Sequence, residues 1–191
     1  MKIYLLRHAR TRDNELGING GRTDSPLSDA GWEEARALAP TLAQHRYDLI
    51  VVSPLRRTRE TIEPYLETVS PRPPIIADER TIERDMGDLT GSFTGDGTVA
   101  RHRAAQGTDK ISWKPPHGES TREVAVRAKS FFEWLCAEQA PESVLVVGHQ
   151  NFLRNLELII LGKPVEAYHD EPPALLKNGE LREFDYPCTN Q

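Results

Sequence analysis

The sequence predicts an α/β fold: a three-layer α/β/α sandwich with a mostly parallel sheet and an antiparallel edge strand. Short apolar segments of strand length alternate along the chain with amphipathic helical patterns, an order typical of parallel sheets covered by helices on both faces. The last segment, residues 181–186, alternates apolar and polar side chains, as a half-exposed edge strand does. A chain of 191 residues can bury one good core, and we expect residues 1–191 to form a single domain.

The same patterns place each element in order. Strands are predicted at residues 3–6, 49–52, 75–77, 144–147 and 181–186. A helix is predicted after a cap at Ser28 or Asp29, another after Ser53 with Pro54 as its first residue, and two more after Ser120 and after His149. The four residues that begin at Ser120 have the spacing of a capping box.

Two stretches are predicted to be irregular. Residues 11–24 are polar and contain glycines, and we expect a functional loop there. Residues 85–118 show no clear periodicity, which predicts a lid or specificity insertion around residues 88–118 with some helix inside it. A match to the dinucleotide-binding fingerprint at residues 95–100 follows no strand, so we attribute it to chance.

Composition narrows the class of protein. The net charge of −5 argues against a general nucleic-acid binder, which normally carries a basic face. No apolar run is long enough to span a bilayer, and no charged-then-apolar signal is found at the start. Cys136 and Cys188 have neither a disulfide-framework nor a metal-site spacing. We therefore expect a cytoplasmic protein without nucleic-acid or membrane partners.

Polar groups follow three of the predicted strands at their carboxyl ends. Arg7 and His8 follow the first strand, Arg57 lies in the turn after the second, and His149 follows the fourth. Because the carboxyl ends of parallel strands share one sheet edge, these side chains are expected to converge. Guanidinium groups bind phosphoryl oxygens, and a neutral imidazole is a competent nucleophile at about pH 7 without a metal. The sequence therefore predicts a phosphate-handling enzyme with no metal and no organic cofactor.

An ordered set of motifs surrounds these residues. Residues 6–11 read Leu-Arg-His-Ala-Arg-Thr, and Asn14 follows shortly after. Further motifs lie at residues 21–28 with Gly31, 53–57, 83–87 with Gly91, 118–120 and 146–149. In order and spacing this set resembles the histidine phosphatase (phosphoglycerate mutase-like) superfamily, and residues 6–11 look like its arginine-histidine-glycine signature. The resemblance covers most of the chain, from residue 1 to about residue 161.

The resemblance implies a role for each residue of the predicted cluster. His8 would be the phospho-acceptor, which attacks phosphorus in line. Arg7, Arg57 and His149 would surround the phosphoryl group. Arg56 precedes Arg57, and the spacing of the motif favours Arg57 as the residue that binds.

Two further site residues are implied by the resemblance. Asn14 would contact the phosphoryl group from its loop. Glu83 would protonate the leaving oxygen and later help to activate water. The alternative for Glu83 is a surface carboxylate paired with Arg84.

Two positions depart from the family's pattern. Ala9 replaces the usual glycine, which implies a backbone angle that alanine tolerates. Arg10 stands where many relatives have an acidic or amide residue. If Arg10 points inward it favours a more anionic substrate, and if it points outward it is a surface charge.

Within the family, the sequence favours the phosphatase branch. The predicted activity is that of a metal-independent phosphomonoester hydrolase, which acts on a small phosphorylated metabolite through a phosphohistidine intermediate. The related mutases commonly carry longer chains with extra basic residues in an insertion, whereas the cations here are scattered over residues 101–114. The alternatives are a phosphoglycerate-type phosphomutase and a non-catalytic phospho-ligand sensor, which would have no use for an acid at Glu83.

Overall fold

Five strands form one sheet in the computed structural model, which describes residues 1–169 and 174–187. In chain order they are β1 (Lys2–Arg7), β2 (Leu49–Val52), β3 (Ile75–Ala77), β4 (Ser143–Gly148) and β5 (Leu181–Asp185). Their order across the sheet is β3-β2-β4-β1-β5, and every pair is parallel except the antiparallel pair of β1 and β5. The predicted strands and the antiparallel edge strand are confirmed.

Helices cover both faces of this sheet. They are α1 (Arg12–Glu15), α2 (Asp29–Leu42), α3 (Arg56–Leu66), α4 (Thr98–Gln106), α5 (Thr121–Trp134) and α6 (Gln150–Ile160). Because strand side chains alternate, Ile3 and Leu5 of β1 join one core with α5 and α6, while Tyr4 and Leu6 join another with α2 and α3. The predicted three-layer α/β/α sandwich is therefore confirmed.

Helices α2 and α5 begin with the caps that the sequence predicts. The Ser28 hydroxyl accepts a hydrogen bond from the Gly31 backbone N–H at 3.1 Å. Ser120 accepts from the Glu123 N–H at 3.1 Å, and the Glu123 carboxylate accepts from the Ser120 N–H at 2.7 Å. These bonds satisfy backbone donors that a helix leaves unpaired in its first turn.

Helix α3 begins differently from the prediction. Its first residue is Arg56, after an N-cap at Leu55 that makes no side-chain hydrogen bond to the helix. The Ser53 hydroxyl lies 2.7 Å from His149 Nε2 and is buried there. The prediction that Ser53 caps this helix with Pro54 as its first residue is wrong, because the helix begins at Arg56. The Ser53 hydroxyl accepts from the Leu55 N–H at 3.3 Å, ahead of the helix, as well as from His149.

The two irregular stretches contain helices of their own. Residues 11–24 include α1, which the sequence analysis did not predict and which a capping box between Thr11 and Asn14 starts. Residues 85–118 include α4, which lies between Gly97 and Gly107, both with positive φ. The expectation of some helix inside the insertion is thus confirmed.

The insertion forms backbone hydrogen bonds with the loop at residues 11–24. The paired segments, residues 17–19 and 91–94, make a short ribbon. Ile18 and Phe93 form an antiparallel bridge. The Asn19 N–H donates to the Ser92 carbonyl at 2.8 Å, and the Gly91 N–H donates to the Asn19 carbonyl at 2.9 Å. This pairing holds the insertion beside the carboxyl end of β1.

The expectations about membrane spans and about the two cysteines can be compared with the described residues. No helix in the described ranges combines the length and the apolarity that crossing a bilayer requires. Cys136 is half-buried and packs against the core, whereas Cys188 lies outside the described residues.

Candidate active site

The carboxyl ends of β1, β2 and β4 meet at one edge of the sheet, as the sequence predicts. Their register places His8, Ser53 and His149 side by side, since the His8 N–H donates to the Gly148 carbonyl at 3.1 Å and the Ser53 N–H to the Val147 carbonyl at 3.2 Å. A cavity of about 170 Å³ opens at this edge. The predicted site residues that line it are Arg7, His8, Asn14, Arg57 and Glu83.

The imidazole of His8 is held in one tautomer by the main chain. Its Nδ1 lies 2.7 Å from the Ala9 carbonyl oxygen, and because a carbonyl only accepts, Nδ1 carries the hydrogen. Nε2 therefore keeps its lone pair. Burial, followed by the charges of Arg57 and Arg7, holds the pKa of His8 well below its usual 6.5. The ring is consequently neutral at neutral pH and has the free nitrogen that a nucleophile needs.

Arg57 is the buried member of the arginine pair. Its Nη1 donates to the Thr23 carbonyl at 2.6 Å and its Nη2 to the Gly21 carbonyl at 3.0 Å, so the loop before α2 orients the guanidinium. Arg56 instead forms an ion pair with Glu60 and is exposed. The structure thus turns Arg57 toward the cavity and Arg56 toward solvent.

Arg7 provides a second guanidinium on the cavity wall. Its Nη1 donates to the Leu176 carbonyl at 2.9 Å. Its Nε is buried and has no hydrogen-bond partner within the described ranges. Buried donors are rarely left unpaired, and this one belongs to a guanidinium that lines the cavity. Burial lowers the pKa of Arg7, and the charge of Glu83 raises it.

His149 lies behind Arg57 rather than on the cavity wall. Its Nδ1 accepts a hydrogen bond from Arg57 Nε at 3.2 Å, so the proton is on Nε2, which donates to the Ser53 hydroxyl at 2.7 Å. Its ring centroid is 5.1 Å from that of His8. Burial, then the charge of Arg57, holds the pKa of His149 well below 6.5. In this arrangement the neutral His149 orients Arg57.

Asn14 is positioned by a residue that the sequence analysis missed. The Asn14 Oδ1 accepts from the Thr11 N–H at 3.2 Å and from Asn178 Nδ2 at 3.1 Å, which leaves its amide nitrogen to the cavity. The same Asn178 nitrogen donates to the His8 carbonyl at 3.0 Å. Asn178-Gly179 is a turn signal before an edge strand, yet no local pattern shows that its side chain reaches β1.

Glu83 lines the cavity with a half-buried carboxyl group. It accepts from the Arg84 N–H at 2.7 Å and, at the start of α6, from the Asn151 N–H at 3.2 Å. The Arg84 guanidinium does not pair with it: Nε donates to the Glu119 carbonyl at 2.7 Å and Nη2 to the Trp113 carbonyl at 3.1 Å. The structure thus places Glu83 in the cavity, not in the alternative surface pair with Arg84.

The two departures from the family's pattern are both accommodated. Ala9 is fully buried and is not among the residues with positive φ. Arg10 points outward, where its Nε donates to the Glu34 carboxylate at 2.8 Å and its side chain is 47% exposed. Arg10 is therefore a surface charge and adds nothing to the cavity.

Comparisons with known proteins agree with this geometry. The profile of the histidine phosphatase superfamily (branch 1) matches residues 3–187. The fructose-2,6-bisphosphatase TIGAR of Xenopus tropicalis is 35% identical over 144 residues, which are 74% of this chain and 52% of the TIGAR chain. The chain thus spans about half the length of that relative.

Two further relatives match over most of both chains. A 2,3-bisphosphoglycerate-dependent phosphoglycerate mutase of Methylobacterium sp. strain 4-46 is 34% identical over 177 residues, covering 86% of this chain and 83% of the mutase. The crystal structure of the alpha-ribazole phosphatase from Shigella flexneri superposes with a TM-score of 0.84 at 26% identity, covering 97% of this chain and 90% of that one. The family match confirms the predicted superfamily, and phosphatases are among the relatives, as the prediction of a phosphatase expects. The chain belongs to the histidine phosphatase superfamily, branch 1.

Proposed function

We propose that this protein is a metal-independent phosphomonoester hydrolase that works through a phosphohistidine at His8. The observation that carries the proposal is the neutral His8 ring, whose Nδ1 is fixed by the Ala9 carbonyl and whose Nε2 is free. Arg7 and Arg57 line the same cavity, and their guanidinium groups are suited to phosphoryl oxygens.

The first step forms a bond between His8 Nε2 and phosphorus and breaks the bond from phosphorus to the leaving oxygen. Glu83, as a carboxylic acid, gives its proton to that oxygen, and the alcohol departs. Arg7 and Arg57 neutralise charge on the phosphoryl oxygens, and Asn14 donates its amide N–H to one of them. His149 keeps Arg57 in place.

The second step returns the enzyme to its starting state. Glu83, now a carboxylate, takes a proton from a water molecule whose oxygen bonds to phosphorus. The bond between Nε2 and phosphorus breaks, inorganic phosphate leaves, and His8 is again neutral. Because the same carboxyl group gives and then regains a proton, the cycle balances without a metal or another cofactor.

Hydrolysis is favoured over phosphomutase activity by the position of the insertion's cations. Lys114 pairs with Glu123, and Arg101 donates to the Asp96 carbonyl and the Thr98 hydroxyl. Neither cation is among the described residues that line the cavity. A mutase must retain its anionic product for the return transfer, and these cations are turned elsewhere. The position of Glu83 in the cavity argues against a non-catalytic sensor.

The proposal also includes the predicted substrate size, the lid, the single domain, the absence of a nucleic-acid partner and the location in the cell. A cavity of about 170 Å³ suits a small phosphorylated metabolite, and the ribbon between residues 17–19 and 91–94 supports a lid function for residues 88–118. We infer one domain over residues 1–191. The acidic net charge supports the prediction of no nucleic-acid partner, and the cysteine usage supports a cytoplasmic location.

The test is phosphate release from p-nitrophenyl phosphate by the purified protein in excess chelator. We expect turnover to persist in the chelator and to fall by at least about a thousandfold in His8→Ala. Arg56→Ala, which removes an exposed guanidinium of the same helix, is the matched control and should retain activity. Loss of turnover on chelation, or full activity of His8→Ala, would overturn the proposal. Return of the phosphoryl group to an added phosphoglycerate in place of phosphate release would identify a mutase.

A further inference from the structure

We propose that Asp13 determines substrate specificity at this site, by accepting a hydroxyl of the leaving group and rejecting leaving groups that carry a second negative charge. The inference rests on the proposed function and deepens it. It names the substrate class as phosphomonoesters whose carbon skeleton beside the ester is hydroxylated and uncharged.

Asp13 is linked through a single residue, Thr23, to Arg57, which is proposed to bind the phosphoryl group. Its Oδ2 accepts from the Thr23 hydroxyl at 3.0 Å, and the Thr23 carbonyl accepts from Arg57 Nη1 at 2.6 Å. Asp13 is half-buried and lines the cavity. Asp13 and Arg57 thus line the same cavity and are linked through Thr23.

The Asp13 charge reaches the binding arginine. Burial lowers the pKa of Arg57, and the nearby carboxylates Glu83, Asp24 and Asp13 raise it. Of the two carboxylate oxygens of Asp13, Oδ2 accepts a hydrogen bond from Thr23, and Oδ1 has no donor among the described residues. Oδ1 is therefore an acceptor to which a substrate hydroxyl can donate.

The arginines that line the cavity already make hydrogen bonds within the protein. Arg7 and Arg57 are used by the phosphoryl group. Arg84 donates from Nε to the Glu119 carbonyl and from Nη2 to the Trp113 carbonyl, and burial lowers its pKa. No lysine is found among the described residues that line the cavity. A second phosphate or a carboxylate placed against Asp13 would meet a group of like charge.

Uncharged polar side chains complete the same cavity. Asn19, Thr94 and Gln150 all line it. Their amide and hydroxyl groups both donate and accept, and so they match the hydroxyls of a polyol or sugar. Together with Asp13 they form a wall that favours hydroxylated over anionic leaving groups.

The test compares two probes that differ only at one carbon. Glycerol 3-phosphate carries a hydroxymethyl group where 3-phosphoglycerate carries a carboxylate. Their dissociation constants are measured by calorimetry in full-length His8→Asn protein, with Asp13 intact or changed to Asn. Because binding rather than hydrolysis is measured, in a background expected not to turn over, failure of the hydrolysis proposal leaves the comparison intact.

We expect the protein with Asp13 to bind glycerol 3-phosphate at least about fivefold more tightly than 3-phosphoglycerate. Asp13→Asn should tighten binding of 3-phosphoglycerate about tenfold, equivalent to about 1.4 kcal/mol, and weaken that of glycerol 3-phosphate. The matched control is Asp185→Asn, at the far end of the sheet where Asp185 is 80% exposed; it should leave the ratio unchanged. An unchanged ratio in Asp13→Asn, an initial preference for 3-phosphoglycerate, or binding of neither probe would overturn the inference.

Discussion

Replacing Asn178 by alanine tests whether the segment before β5 positions the active site. The change removes the amide nitrogen that donates to the His8 carbonyl at 3.0 Å and to Asn14 Oδ1 at 3.1 Å. Each acceptor keeps one other donor, the Gly179 N–H for His8 and the Thr11 N–H for Asn14. Because neither oxygen is left without a partner, each lost bond should cost about 1 kcal/mol, at the low end of the range for lost hydrogen bonds.

The two losses together predict about 2 kcal/mol less stability, or a Tm lower by about 4–8 °C. If misplacement of His8 and Asn14 raises the activation free energy by about 1.4 kcal/mol, kcat falls about tenfold. Urea unfolding gives the first quantity and steady-state hydrolysis of p-nitrophenyl phosphate gives the second. Both losses should be seen in the same variant.

A second substitution separates positioning from space filling. Asn178→Asp keeps the shape of the side chain but cannot donate a hydrogen bond when ionised. We expect it to lose at least as much kcat as the alanine variant, while Lys177→Ala, at the exposed neighbouring position, keeps wild-type kcat. Normal kcat in Asn178→Asp would refute the reasoning, as would a stability loss in Asn178→Ala without any loss of kcat.

Three further predictions follow from burial and charge. Arg57→Lys should lower kcat/KM by about a hundredfold, because lysine cannot reproduce a planar guanidinium that makes three hydrogen bonds; activity within about threefold of wild type would contradict this. His8 and His149 have pKa values well below 6.5 in the folded protein. Below about pH 6.5 the unfolded state therefore binds more protons than the folded state. As the pH is lowered through this range, the free energy of unfolding falls by up to about 1.4 kcal/mol per pH unit for each ring. Urea unfolding at a series of pH values should show this slope, with half of it lost in His8→Asn; a slope that His8→Asn leaves unchanged would contradict the assignment. Leu5→Ala should cost about 2–5 kcal/mol in urea unfolding, as a fully buried core leucine does, whereas Leu161→Ala at a 42% exposed position should cost far less; equal costs would contradict the core assignment.

The fold was predictable because its strands are short apolar runs with polar ends. Residues 49–52 are buried at every position, and such runs identify central strands of a parallel sheet. The alternation at residues 181–186 identified β5 as the edge strand because one of its faces meets solvent. Convergence of Arg7, His8 and Arg57 followed from topology alone, since parallel strands end at a common edge.

The details that escaped prediction depend on contacts between distant parts of the chain. Ser53 was expected to cap α3, but its hydroxyl lies against His149, which is 96 positions away in sequence. The direction of Arg10 is set by Glu34, on a helix that only the folded chain brings close. The side chain of Asn178 reaches β1 across 170 positions. Local propensity carries no information about such pairs.

The central claim is that a phosphoryl group passes through Nε2 of His8. The direct measurement is to mix enzyme with p-nitrophenyl phosphate, quench in base within the first turnovers, and locate phosphate on the digested protein by mass spectrometry. We expect an acid-labile phosphate on the peptide that contains His8, formed as fast as nitrophenol is released and absent in His8→Asn. Turnover with no phosphate on His8, or with phosphate on another residue, would contradict the account.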